Sequence, residues 1–153
     1  MSSPQGQLVM VSYANQVVLI TGAAGAIGRL LAQQFAQRGA HVGVMDLAVE
    51  PLQQLVDELK KTGSPGKLAY AACDITQRDA MHEAVKKLEA ELGPTDVVIA
   101  NAGIALNNPI KGFSAETFAR QVNVNLIGTA NTLEPIIPGF IERRRGHIVA
   151  LSS

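Results

Sequence analysis

The sequence predicts a three-layer α/β fold, with helices covering both faces of a doubly wound parallel sheet. Three observations carry that prediction. Five short apolar runs alternate with four segments of helical periodicity. The runs are apolar throughout rather than at every second residue, as strands buried on both faces must be. Right-handed crossovers between parallel strands then distribute the helices over the two faces.

Residues 1–14 are rich in Ser, Gln and Gly and lack periodicity. They are expected to form a flexible tail, which leaves one domain over residues 15–153. "QVVLITG" reads as the first buried strand, ended by Gly22. Ile27, Leu30, Leu31 and Phe35 fall at helical spacing from Ala26 to Gln37, and Gly39 ends that helix. "HVGVMD" is the second strand. Leu52, Leu55, Val56 and Leu59 mark the second helix, stopped by "TGSPG". "KLAYAACD" is the third strand. Met81, Ala84, Val85, Leu88 and Leu92 mark the third helix, and "DVVIANAG" is the fourth strand. Ser114 caps a fourth helix, and Glu116 in its first turn favours the helix dipole. Pro135 and Pro138 should bend or break that helix near its end. "HIVALSS" is the fifth strand. "RRR" at Arg143 to Arg145 ends a helix and complements its negative pole.

Bulk composition bounds the function. A chain of 153 residues can bury roughly 70% of its unfolded surface, enough for a sizeable core. Thirteen basic residues balance thirteen acidic ones, so charge gives no reason to expect nucleic acid or an anionic membrane as partner. Cys73 is the single cysteine, which excludes an internal disulfide and fits a reducing compartment. The first basic residue is Arg29 and the apolar run Leu8 to Val11 is too short for a signal peptide. No apolar stretch approaches the roughly 20 residues of a membrane span. The expected location is cytoplasmic. His41, His82 and His147 are scattered without metal-ligand spacing, so no metal site is expected.

Chemistry concentrates at the carboxyl ends of the strands, where open α/β sheets bind ligands. "TGAAGAIGR" joins the first strand to the first helix. Gly22, Gly25 and Gly28 let the backbone turn tightly and approach a pyrophosphate, and Ile27 lies between them. The helix behind offers free N–H groups and a positive dipole end. Asp46 closes the second strand, eighteen residues after Gly28. A carboxylate there accepts hydrogen bonds from both ribose hydroxyls of an adenosine and repels a 2′-phosphate. No Arg or Lys accompanies the glycine loop up to Gly28 or flanks Asp46, so the preferred cofactor is NAD rather than NADP. Asp74 and Ile75 follow the third strand. Asp74 can hydrogen-bond an adenine and Ile75 can cover its face; a helix cap is an equal reading of Asp74. Asn101, Ala102 and Gly103 follow the fourth strand, and their small size leaves room for a ribose and nicotinamide.

Together these residues resemble the N-terminal part of the short-chain dehydrogenase/reductase family. The glycine loop, Asp46, Asp74, "NAG", the "VNLIG" of Val124 to Gly128 and the "IVALSS" strand occur in that family's order. The resemblance covers residues 15 to 153. It implies a Rossmann-type fold truncated after the fifth strand, and hydride transfer between a nicotinamide and a small carbonyl/alcohol substrate. It makes Asn125 the helix residue of the proton relay and Ser153 the catalytic Ser that polarises the reacting oxygen. It further implies a homo-oligomer for the full-length enzyme.

Two departures stand against the family pattern. Ala26 replaces the penultimate glycine of T-G-x-x-x-G-x-G, a spacing shared with epimerase-type members of the superfamily. The family's Y-x-x-x-K pair is missing: neither Tyr13 nor Tyr70 has a Lys four residues on. General acid/base transfer needs a group of suitable pKa within reach of the reacting oxygen. This chain by itself is therefore expected to be catalytically inactive. The alternatives are a non-catalytic nucleotide-binding or interaction module and an epimerase-type member. A fifth strand without a neighbour, and Phe118, Val122, Leu126, Leu133 and Ile137 without a packing partner, are expected to leave an exposed edge and apolar groups.

Overall fold

The computed structural model describes residues 12–152. The strands are β1 (Val17–Thr21), β2 (His41–Asp46), β3 (Leu68–Ala72), β4 (Val97–Ala100) and β5 (His147–Ala150). They form one parallel sheet in the order β3-β2-β1-β4-β5. Three helices alternate with the first four strands: α1 (Ala26–Gln37), α2 (Val49–Lys61) and α3 (Arg78–Leu92). The chain then runs through α4 (Ala115–Val122), a π-helical turn (Asn123–Ile127), α5 (Gly128–Leu133) and α6 (Ile137–Arg143).

The helices divide by face, as the unbroken apolar strands require. On one side Ile20 and Val44 pack with Ala32 of α1 and with Leu52, Leu55 and Leu59 of α2. Burying each of those leucines contributes about 1.5–3 kcal/mol. On the other side Leu19 and Met45 pack with Met81 and Leu88 of α3, and with Ile136 and Phe140 around α6. Alternate residues of β1 thus serve opposite layers.

The fourth helical segment is broken near its end, within the bend or break expected there, and carries an additional π-helical turn. The Ser114 hydroxyl does accept the Thr117 N–H at 3.1 Å, as a cap should. The break does come at the prolines: Pro138 lies in the first turn of α6, where its missing N–H costs nothing. The π-turn had no sequence signal. It inserts an i→i+5 bond from Gly128 N–H to the Asn123 carbonyl. Arg143 ends α6, and Arg145 pairs with Asp96 at 3.0 Å across the start of β4.

Of the stretch assigned to a tail, residues 12–14 are described, and Tyr13 belongs to the fold. Its ring meets Phe35 edge-on at 4.8 Å, and its N–H bonds the Arg38 carbonyl. Ordered packing therefore begins before residue 15.

Every residue of β5 is exposed, and among the described residues no strand pairs with its outer edge. Phe118 and Leu126 are also exposed, whereas Leu133 packs on the core and Val122 and Ile137 are half-buried. Such an edge recruits other strands. As a polypeptide of these 153 residues alone, the chain is expected to self-associate in the micromolar range by sedimentation velocity, with Ile148→Lys shifting it toward monomer. A concentration-independent monomer with a sharp, reversible melt would contradict this.

Candidate functional site

The order of the sheet locates the site. From β1 the chain steps outward through β2 and β3, then returns to β4 on the opposite side. The crossovers after β1 and β4 therefore leave in opposite directions, and a crevice opens above their carboxyl ends. A cavity of about 770 Å³ fills that crevice. The glycine loop, Asp46, residues 73–76 and residues 101–104 line it, and the α4 wall closes the far side.

The three glycines do different jobs. Gly22 has φ +64°, and a Cβ on it would lie 2.7 Å from Ala102 Cα. A Cβ on Gly28 would lie 2.3 Å from the Gly22 carbonyl oxygen. These two are small because the protein packs against itself. Gly25 is different: its φ is −74°, and an added Cβ meets only the Gly22 oxygen, at 3.4 Å. Gly25 is the N-cap of α1 and supplies no side-chain cap, and α1 has no acidic residue in its first turn. The first-turn amides of Ala26, Ile27 and Gly28 therefore reach the cavity without a partner from the cap. The donor set fits a pyrophosphate.

Asp46 is bound into the same loop. One carboxylate oxygen accepts the Ala24 N–H at 2.9 Å and the other accepts the Leu47 N–H at 2.8 Å. It sits half-buried on the cavity wall, with lone pairs left for a hydroxyl-bearing ligand.

Asn101, Ala102 and Gly103 also line the cavity. Asn101 does more than leave room. Its amide donates to the carbonyls of Thr21 and Gly22, at 3.0 and 3.1 Å, and so ties the end of β4 to the glycine loop. The buried Thr21 hydroxyl completes that tie by accepting the Asn101 and Ala102 N–H groups, both at 3.2 Å. Thr21→Val would leave the Ala102 amide without its acceptor. We expect a loss of about 1–3 kcal/mol and a fall in melting temperature of about 2–4 °C per kcal/mol. Thr21→Ser should lose less. Unchanged melting of the valine variant would show that the hydroxyl is not a structural tie.

Asp74 does not cap α3; Gln77 occupies that position. One Asp74 oxygen instead accepts the Thr76 N–H and hydroxyl, at 2.9 and 2.7 Å, in a tight turn. The other oxygen accepts no hydrogen bond among the described residues, and Asp74 lines the cavity. Ile75 is buried, its carbonyl held by Asn131 and its side chain laid against Gly128. Ile27 is exposed on the opposite lip.

Asn125 sits in the π-turn with its side chain engaged at both ends. Its oxygen accepts the Ile104 N–H at 2.8 Å, and its amide donates to the Ile104 carbonyl at 2.9 Å. The side chain thus fixes the segment that follows β4. Ser153 lies outside the described residues.

Cys73, Ile104, Arg120, Asn123 and Val124 also line the cavity and were missed as site residues. The last three fall at i, i+3 and i+4, the spacing of one helix face; that was the available signal. Cys73 has its thiol pushed up to about 11, chiefly by burial and further by the Asp46 and Asp74 carboxylates. It is a neutral thiol at physiological pH rather than a nucleophile. Outside the cavity, Arg78 forms a two-pronged pair with Glu134, both bonds 2.7 Å, which joins α3 to the end of α5. The hydrogen bonds from Arg78, then that from His82, hold the Glu134 carboxyl below its ordinary range. Among the described residues no three His, Cys, Asp or Glu side chains are grouped to hold a metal ion. No described helix is long and apolar enough to cross a membrane.

A doubly wound sheet, a crevice at its switch point and an uncapped helix beside a strand-end carboxylate define a Rossmann-type α/β protein. The family model for short chain dehydrogenases matches residues 16–153. The chain belongs to that family, whose members are oxidoreductases. It is 38% identical over 138 residues to the 3-oxoacyl-[acyl-carrier-protein] reductase FabG of Thermotoga maritima, covering 90% of this chain and 55% of the relative. A solved 3-oxoacyl-[acyl-carrier protein] reductase with bound NAD from Brucella melitensis superposes with TM-score 0.85 at 34% identity, over 100% of this chain and 60% of that one. An NAD+-bound xylitol dehydrogenase gives TM-score 0.86 at 26% identity, over 92% and 54%. The chain thus spans about half the length of the curated relatives it matches.

Proposed function

We propose that this chain is the cofactor-binding part of an NAD-dependent oxidoreductase acting on a small carbonyl/alcohol substrate. One observation carries the reading: the uncapped first turn of α1 and the Asp46 carboxylate face one crevice across a glycine loop. The α1 amides receive the pyrophosphate. Asp46 accepts the hydroxyls of the adenosine ribose, and its charge disfavours a 2′-phosphate, so NAD is preferred over NADP. Asp74 and Ile75 hold the adenine. Asn101, Ala102 and Gly103 border the nicotinamide ribose. When bound, the nicotinamide supplies or accepts the hydride.

Among the chain's own residues, Ser153 holds the reacting oxygen of the substrate. Asn125 acts by position: its amide fixes Ile104 beside the crevice. The location is cytoplasmic, in keeping with one buried, unpaired cysteine.

A second reading is a nucleotide-binding module without turnover, since these 153 residues by themselves hold no Tyr-x-x-x-Lys pair for proton transfer. Titrating NADH by its fluorescence, alongside a dehydrogenase assay on the same preparation, separates the two. Binding is expected without turnover by this chain, and with turnover by a longer chain that supplies the pair. Absence of NADH binding by both would refute the nucleotide reading.

A further inference from the structure

We propose that Arg120 is a nucleobase-capping residue, whose guanidinium closes over the outer face of an adenine seated in the crevice. The inference rests on the dinucleotide reading above and adds to it a specificity determinant on α4.

The placement follows from the wall that rises from Ile75. At its foot, Gly128 lies so close to Ile75 that a Cβ there would be 2.6 Å from Ile75 Cδ1. Val124 comes next. It packs on the hydrophobic cluster that contains Ile75, and it lines the cavity. Arg120 stands about one helical turn further on, four residues and so about 6 Å along the axis, and lines the same cavity. The Arg120 side chain, rising from the same wall beyond Val124, is long enough to fold over the outer face of a flat ring laid against Ile75 and Val124.

The guanidinium is available for that role. Glu116 sits four residues before it on α4, the spacing for an intrahelical pair. Yet among the described residues no carboxylate lies within 4.0 Å of Arg120, whereas Arg29, Arg78 and Arg145 are each paired. No side-chain hydrogen bond engages it there either. A planar, weakly hydrated cation beside an apolar floor is suited to stack on an aromatic face.

The base is favoured over the phosphates as its target. The phosphate-binding amides belong to α1, in the helical layer on the other face of the sheet. Arg120 stands on the side of Ile75, where the adenine lies. Arg120 is exposed, so its replacement should leave the fold intact.

The test measures NADH dissociation constants for the intact chain and for Arg120→Ala and Arg120→Lys, at low and high salt. Melting curves serve as the control for folding. Stacking predicts that Arg120→Ala weakens NADH about three- to fivefold. It further predicts that most of this factor persists in high salt and that lysine restores only part of it. Three results overturn the capping role: no change in affinity, full rescue by lysine, or a loss that vanishes in high salt, as a phosphate ion pair would show. Absence of NADH binding by the unsubstituted chain refutes the dinucleotide reading itself, a failure distinct from these.

Discussion

Gly28→Ala is expected to destabilise the protein and to abolish its affinity for NADH together. The new methyl would sit 2.3 Å from the Gly22 carbonyl oxygen and 2.6 Å from Ala23 Cα. Both obstacles are backbone, so no rotamer change relieves the clash. The start of α1 must move away from β1, and overpacking of this kind costs about 1–3 kcal/mol or more. For a chain of this size each kcal/mol lowers the melting temperature by about 2–4 °C. The displaced helix would also carry its amides away from the crevice. Gly25→Ala is the control. Its backbone angle suits alanine, and its nearest contact is an ordinary 3.4 Å. That variant should melt like the parent and still bind NADH less well, because the methyl occupies ligand space alone. If Gly28→Ala melts like the parent, the close approach of α1 to the loop does not limit the fold.

The second large effect is expected at Asp46. Asp46→Ala should weaken NADH roughly 10- to 150-fold, the equivalent of the 1.5–3 kcal/mol typical of a hydrogen bond to a charged group. It should also raise the affinity for NADPH relative to NADH, because a charge that repels the 2′-phosphate is gone. Part of the loss comes from the loop, since the Ala24 and Leu47 amides lose their acceptor. Asp46→Asn separates the contributions. It keeps an acceptor for one amide while removing the charge, so its NADPH preference should rise with less damage to melting. Calorimetric titration of both nucleotides checks the pair. An alanine variant with the parent's NADH affinity would refute the ribose role.

The fold was largely legible because its local and global signals agree. The bounds of α1 and of β2 could be read to the residue from hydrophobic spacing and Gly39. The π-turn could not, because "VNVNLIG" fits helical periodicity and its extra residue is stabilised by partners distant in sequence. Asn125 finds those partners in Ile104, a contact that no local pattern encodes. Asn101 shows the same limit. Its place beside the crevice was readable, while its bonds to Thr21 and Gly22 depend on β1 and β4 being neighbours. Arg120 carries no signal local to the glycine loop, because it lies far along the chain from both Gly28 and Asp46. The α4 wall enters the crevice from across the sheet, through topology rather than sequence proximity.

The tie between Thr21, Asn101 and Gly22 governs how the crevice can respond to a visitor. With the tips of the two central strands sewn together, the base of the cleft has no hinge of its own. Residues 104–114, which border the crevice at Ile104, hold neither strand nor helix and are moored by a few amides: Asn125 at Ile104, Gln121 at Leu106 and Asn108 at Ser114. The freedom of that span to move is then set by those few bonds rather than by the basal framework. Altering those moorings would change how fast an occupant comes and goes more than how it is gripped.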